Sequence, residues 1–136
     1  MKYKIGFTCG AFDLLHAGHI LMLKECKDYC DYLIVGLQTD PSIDRPTKHK
    51  PIQDMFERKV QLQAVRYVDE IRTYTTEDNL IELLRDVKPD VRIIGADWKG
   101  KEYTGYELGI PAIFNSRNHS YSTSELRKRV YDAECV

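Results

Sequence analysis

The chain has 136 residues, 43% of them hydrophobic and 30% charged, the balance of a globular domain with room for one real core. Its 20 basic and 21 acidic residues leave a net charge of −1, which argues against a broad nucleic-acid-binding face but allows a local basic pocket. No apolar run nears the roughly 20 residues of a membrane span and no signal-peptide pattern is visible, so the expectation is one cytoplasmic domain over 1–136 with no nucleic-acid or membrane partner.

Apolar periodicity predicts alternating elements. A strand over 2–8 is followed by a helix over 17–28, then by a second strand over 32–39 (YLIVGLQT), whose continuous apolar run suits a strand covered on both faces. A polar stretch, 40–53, holds Pro41, Pro46 and Pro51. Asp54 is a good N-cap for a helix over 55–67. A short strand at 69–74 precedes a helix over 77–87, which Thr76 can cap and whose Leu80, Ile81, Leu83 and Leu84 form a stripe. Strands at 91–95 and 112–115 flank a short helix at 103–108. Ser122 and Glu125 have capping-box spacing and open a last helix to about 132. Strands alternating with helices imply a parallel sheet with helices on both faces, and ligands then bind beyond the carboxyl ends of the strands.

Those strand ends carry the unusual chemistry. After strand one comes Cys9-Gly-Ala-Phe-Asp-Leu-Leu-His-Ala-Gly-His19. His16 and His19, three apart at a helix start, share one face beside free backbone N–H groups that favour an anion. Gly18 removes a side chain between them. After strand two, the loop Arg45-Pro-Thr-Lys-His-Lys50 reads as a lid that carries Lys48 and Lys50 over a polyphosphate. Arg58 and Arg66, eight apart, fall on nearly the same helix face, and each could equally pair with a nearby carboxylate. After strand four, Asp97 can accept hydrogen bonds from a ribose or base, and Trp98 can stack or plug the core edge. After strand five, Arg117 through Ser124 supplies hydroxyls, N–H groups and a guanidinium at a helix start. The cysteines, Cys9, Cys26, Cys30 and Cys135, match no zinc spacing and read as reduced thiols; a zinc set of Cys9, Asp13 and His49 has little support.

Together these segments resemble the cytidylyltransferase family of nucleotidyltransferases, which carries a His-x-Gly-His signature, and most of all its glycerol-3-phosphate cytidylyltransferases. The resemblance covers Gly10 to His19, 31–35, Glu57-Arg-Lys, Arg66-Tyr-Val-Asp-Glu, Gly95-Ala-Asp-Trp-Lys-Gly-Lys and Arg117 to Ser124. It implies an α/β, Rossmann-like, doubly wound five-stranded parallel sheet. It implies CTP and a small phosphorylated acceptor as substrates, Mg²⁺ as cofactor and a homodimer as the assembly. Carried over by residue, His16, His19, Lys48 and Arg117 would be catalytic. Cys9, Gly10, Ala11, Phe12, Gly18, Lys50, Arg66, Gly95, Asp97, Ser122 and Thr123 would bind substrate; no metal ligands are assigned. Sister families with the same strand-turn-helix transfer adenylyl groups to acceptors that include sugar phosphates. A nucleotide-binding module without turnover is the reading of a different class. Three features depart from the family: Ala11 stands where a hydroxyl or thiol is usual, Asn-His-Ser-Tyr follows Arg117, and the 41–53 loop aligns with a gap.

Overall fold

The computed structural model describes residues 2–135. Its strands are β1 (Tyr3–Gly10), β2 (Cys30–Gln38), β3 (Glu70–Tyr74), β4 (Val91–Ile94) and β5 (Ala112–Phe114). Its helices are α1 (Ala17–Tyr29), α2 (Met55–Gln63), α3 (Glu77–Val87) and α4 (Thr123–Glu134), with single 3-10 turns at Ala96–Trp98 and Tyr106–Leu108. The five strands form one parallel sheet in the order β3-β2-β1-β4-β5. The chain leaves β1 toward one edge and later returns to its other side, so the crevice of the sheet opens at the carboxyl end of β1.

Alternation along each strand sorts side chains into two cores. Leu33, Val35 and Leu37 of β2 with Val91 and Ile93 of β4 face Leu23 and Cys26 of α1 and Leu62 of α2. On the other face, Phe7, Ile34 and Tyr74 receive Leu80, Leu83 and Leu84 of α3. Arg92, between Val91 and Ile93, therefore points to the α3 face, where it is 4% exposed.

Several boundaries differ from the periodicity. β1 runs on to Gly10, because Gly10 still pairs with Leu37. α2 stops at Gln63, short of 67: the Ala64 and Val65 amides bond three residues back, to Gln61 and Leu62, tightening the last turn. The helix expected at 103–108 is one 3-10 turn held between left-handed Gly105 and Gly109. The capping box of α4 is half made. The Ser122 hydroxyl accepts the Glu125 amide at 3.1 Å, but the Glu125 carboxylate turns forward to Arg129, also at 3.1 Å.

One buried cation ties the strand ends together. Arg58 of α2 is 2% exposed. Its Nη1 donates to the carbonyls of Ala11 (3.0 Å) and Gln38 (2.6 Å), Nη2 to Thr39 (2.6 Å) and Nε to Gln53 (3.1 Å). A guanidinium has the rigid, donor-only geometry to serve several carbonyls at once. Arg58→Met keeps the stem but strands these acceptors. It is expected to cost about 3–5 kcal/mol in urea denaturation; a loss under about 1 kcal/mol would contradict this role.

Candidate active site

The turn from β1 into α1 is sharp, with Phe12 and Leu14 both left-handed at φ 49° and 52°. Backbone of this kind is strained for residues with a Cβ and concentrates at functional sites. Asp13, between them, accepts the amides of Ile52 (2.8 Å) and Gln53 (2.9 Å), and the Leu14 amide donates to the Gln53 side chain. The 40–53 loop is thus pinned to the start of the site.

The two histidines cap α1 reciprocally. His16 is the N-cap and its Nδ1 accepts the Gly18 amide at 3.0 Å; the His16 amide donates to Nδ1 of His19 at 3.2 Å. Their rings stack with centroids 3.9 Å apart. Because both Nδ1 atoms accept, each neutral ring carries its proton on Nε2. His16 uses it toward the Thr123 hydroxyl, 3.2 Å away, which in turn donates to the Asp13 carbonyl at 3.4 Å. His19 Nε2 meets no protein acceptor among the described residues. Gly18 matters here for packing: a Cβ would lie 2.8 Å from His16 Cε1 and 3.1 Å from His119 Cε1.

Thr123 is the first residue of α4. The N-termini of α1 and α4 therefore meet at the His16–Thr123 contact, and two positive helix ends face one spot. Arg117, left-handed at φ 40°, lies on the same segment and donates to the Tyr121 carbonyl at 3.3 Å. Burial, His119 and Arg117 hold His16 below the usual imidazole pKa. Burial and then His16 push His19 down to about 4. Both rings are neutral near pH 7, and an arriving polyanion would draw protons onto them.

Two cavities flank this point. The first, ≈ 480 Å³, lies between α1 and the 115–123 segment; His16, Gly18, Arg117, Ser122 and Thr123 line it, as do His119 and Tyr121, whose rings stack 5.3 Å apart. Glu25 of α1 fixes that segment by accepting the Ser116 amide at 3.1 Å and its hydroxyl at 2.9 Å. The second, ≈ 280 Å³, is lined by Cys9 and Gly10 at the end of β1, Gly95 and Trp98 after β4, Arg45, Glu77 and Arg92. Met22 and Asn115 border both.

Phe12 is buried, its ring 5.3 Å from His19, and Ala11 contributes its carbonyl to Arg58. Asp97 is exposed and faces Arg117 across 3.7 Å. Lys48 and Lys50 are exposed and line neither cavity: the loop is pinned at Asp13 on one side, and on the other Asp44 accepts the Glu77 amide at 2.5 Å. The loop cation at the second cavity is instead Arg45, paired with Glu77 and lying over the Trp98 ring at 5.6 Å. Arg66 stacks on Tyr67 just before β3, at the amino end of the sheet and away from the site in this chain. Among the described residues no three His, Cys, Asp or Glu side chains converge as metal ligands, and Cys9, Asp13 and His49 form no such set. The residues therefore do not form a protein cage for Mg²⁺. All four cysteines are free thiols.

The lowered imidazoles set a pH test. Their folded pKa values lie below the unfolded value of 6.5, so the unfolded chain takes up more protons as pH falls. Their contribution is complete above about pH 6.5 and is lost toward about pH 4. The urea midpoint is expected to fall across this window, and His19→Asn to flatten the slope; an identical slope in the variant would refute the assignment.

Comparison with known proteins agrees with this geometry. The family described as cytidylyltransferase-like matches residues 7–129. The bifunctional protein HldE of Campylobacter curvus is 36% identical over 132 residues, covering 96% of this chain and 28% of that protein. The Helicobacter hepaticus HldE is 37% identical over 124 residues, 90% of this chain and 26% of that one. The chain thus spans little more than a quarter of the curated relatives it matches. The crystal structure of a lipopolysaccharide core biosynthesis protein from Thermoplasma volcanium superposes with TM-score 0.67 at 30% identity, covering 82% of this chain and 93% of that one. A bifunctional NMN adenylyltransferase/ADP ribose pyrophosphatase from Francisella tularensis, complexed with AMP, shares the fold at TM-score 0.67 and 16% identity, over 96% of this chain and 42% of that one. With a family match over most of its length, and a His-x-Gly-His pair capping α1 at the crevice of a parallel sheet, this chain belongs to the cytidylyltransferase-like nucleotidyltransferases.

Proposed function

We propose that this chain transfers an adenylyl group from ATP to the phosphate of a sugar phosphate, releasing pyrophosphate. The observation that carries nucleotidyl transfer is the meeting of two helix N-termini at His16 and Thr123, with Arg117 beside them. The sugar phosphate is supported by likeness to HldE and to a protein of lipopolysaccharide core biosynthesis, since such a core is built of sugars. The resemblance of the His-x-Gly-His and Gly-Ala-Asp-Trp segments supports a second reading, transfer of CMP from CTP to glycerol 3-phosphate.

The mechanism is the same for both. An acceptor phosphate oxygen attacks the α-phosphorus, a new P–O bond forms, and the bond to the departing pyrophosphate breaks. That oxygen is already a competent nucleophile, so no covalent enzyme intermediate is needed. The barrier falls through alignment and through donors aimed at the developing charge. In this reading His19 Nε2–H donates to the α-phosphate, and His16 donates there once its Nε2–H turns from the Thr123 hydroxyl to the arriving phosphate. Arg117, Ser122 and the free amides of α4 hold the leaving phosphates. The stacked His119 and Tyr121 offer a flat surface to the base. Mg²⁺, for which the described residues form no cage, would be held by triphosphate oxygens and water and would offset part of their charge.

Pyrophosphate release should be followed with ATP and with CTP, each against a hexose or heptose 1-phosphate and against glycerol 3-phosphate. ATP with the sugar phosphate is expected to be fastest, CTP with glycerol 3-phosphate would establish the second reading, and no release with any pair would overturn both. Asn can keep an N-terminal cap. His16→Asn and His19→Asn are therefore expected to stay folded while losing about 10²–10³-fold in kcat.

A further inference from the structure

Arg92 is a buried cation that the mechanism does not use. It stands opposite Phe7, three residues and therefore about 10 Å short of Gly10 at the end of β1, so it belongs to the floor of the second cavity and not to its rim. Its Nη1 donates to the Thr104 carbonyl at 2.6 Å, and its guanidinium carbon lies 5.2 Å from the centre of the Tyr103 ring. Its Nε is buried and has no hydrogen-bond partner. Buried polar groups are nearly always paired, and an exception asks for a missing partner.

Of the groups around it, the Cys9 sulfur lies against the guanidinium but is a weak acceptor, and it does not reach the Nε. The Cys9 thiol is kept protonated by burial, and so is the Tyr74 phenol. The Glu77 carboxylate is taken by Arg45. Among the described residues Arg92 forms no ion pair. The floor of this cavity is therefore a positively charged donor whose nearest lining carboxylate, Glu77, is held by Arg45, and an arginine edge matches oxygens that only accept. A cavity with this floor favours a ligand whose inner end carries hydroxyl, carboxylate or phosphate oxygen.

We propose that the second cavity holds the acceptor and that Arg92 is its specificity-determining residue, binding oxygen at the end of the acceptor remote from the attacking phosphate. This rests on the nucleotidyl-transfer reading above. The acceptor would enter with its phosphate toward the histidines and its polyol end downward. Phosphorylated alcohols with no distal oxygen would leave the guanidinium unpaired and be rejected, because a site built to bond a substrate oxygen discriminates strongly against an analogue lacking it.

The test compares glycerol 3-phosphate, a hexose 1-phosphate, 3-phosphoglycerate and n-propyl phosphate, using unaltered protein, Arg92→Met and Arg92→Lys. Initial rates would be followed by pyrophosphate release, and binding by calorimetry without nucleotide. The unaltered protein is expected to prefer an oxygen-bearing acceptor over n-propyl phosphate by at least tenfold, and the preferred one identifies the distal group. Arg92→Met should erase that preference by raising the KM of the preferred acceptor, with the KM of the nucleotide unchanged. Arg92→Lys should restore part of it. Equal use of n-propyl phosphate by the unaltered protein, or a preference that survives in Arg92→Met, would overturn the proposal. If Arg92→Met does not fold, an Arg92→Lys preference equal to that of the unaltered protein with weaker stability would assign Arg92 to holding Thr104, and would equally overturn it. Should no nucleotide be turned over at all, the functional reading fails by itself, and the calorimetric comparison of the same acceptors still decides for or against Arg92.

Discussion

The site depends on Arg58. Its guanidinium collects carbonyls from the β1–α1 turn, from the end of β2 and from the residue preceding the cap of α2. These three segments leave the sheet in different directions, and their carbonyls point into space that no strand can fill. One rigid set of donors satisfies them together, at the cost of taking a charge out of water. Asp13 then extends the arrangement by tying Ile52 and Gln53 to the same turn. The histidines, Arg45 and the two cavities all hang from chain ends whose positions these bonds fix.

The reciprocal histidine cap joins stability to chemistry. Ser, Thr, Asp and Asn are the usual residues at a helix start because an oxygen accepts a backbone amide there. Here nitrogens do that work, and the capping bonds leave the Nε2 protons pointing elsewhere. Local structure thereby selects the tautomer the site uses. Close stacking and partial burial make a second positive charge costly, so the pair waits uncharged.

Much of this was legible from residues alone. The alternation of apolar runs located all five strands, and the coincidence of odd chemistry with strand ends located the site. What escaped were matters of direction. Arg58 and Arg66 look alike on a helical wheel, yet α2 ends before Arg66 while Arg58 turns inward to carbonyls that exist only once the sheet has formed. Lys48 and Lys50 looked like the cations of the loop; the bonds at Asp13 and at Asp44 leave them outward and bring Arg45 inward. Ala11 read as a missing hydroxyl, but the fold uses its carbonyl, which accepts from Arg58. Arg92 gave no signal at all, since a charged residue inside an apolar tetrad is ordinarily assigned to an edge strand, and here the strand is interior.

The shared border of the two cavities has a consequence for how such a chain changes over generations. Among the described residues only Met22 and Asn115 belong to both walls. One wall is built from α1 and the approach to α4, the other from β4, the proline-bearing loop and the start of α3. Substitutions can accumulate on one wall without disturbing packing on the other, and the flexible thioether of Met22 can absorb small shifts between them. Descent within this fold can thus alter what occupies one chamber while the neighbouring chamber is inherited intact.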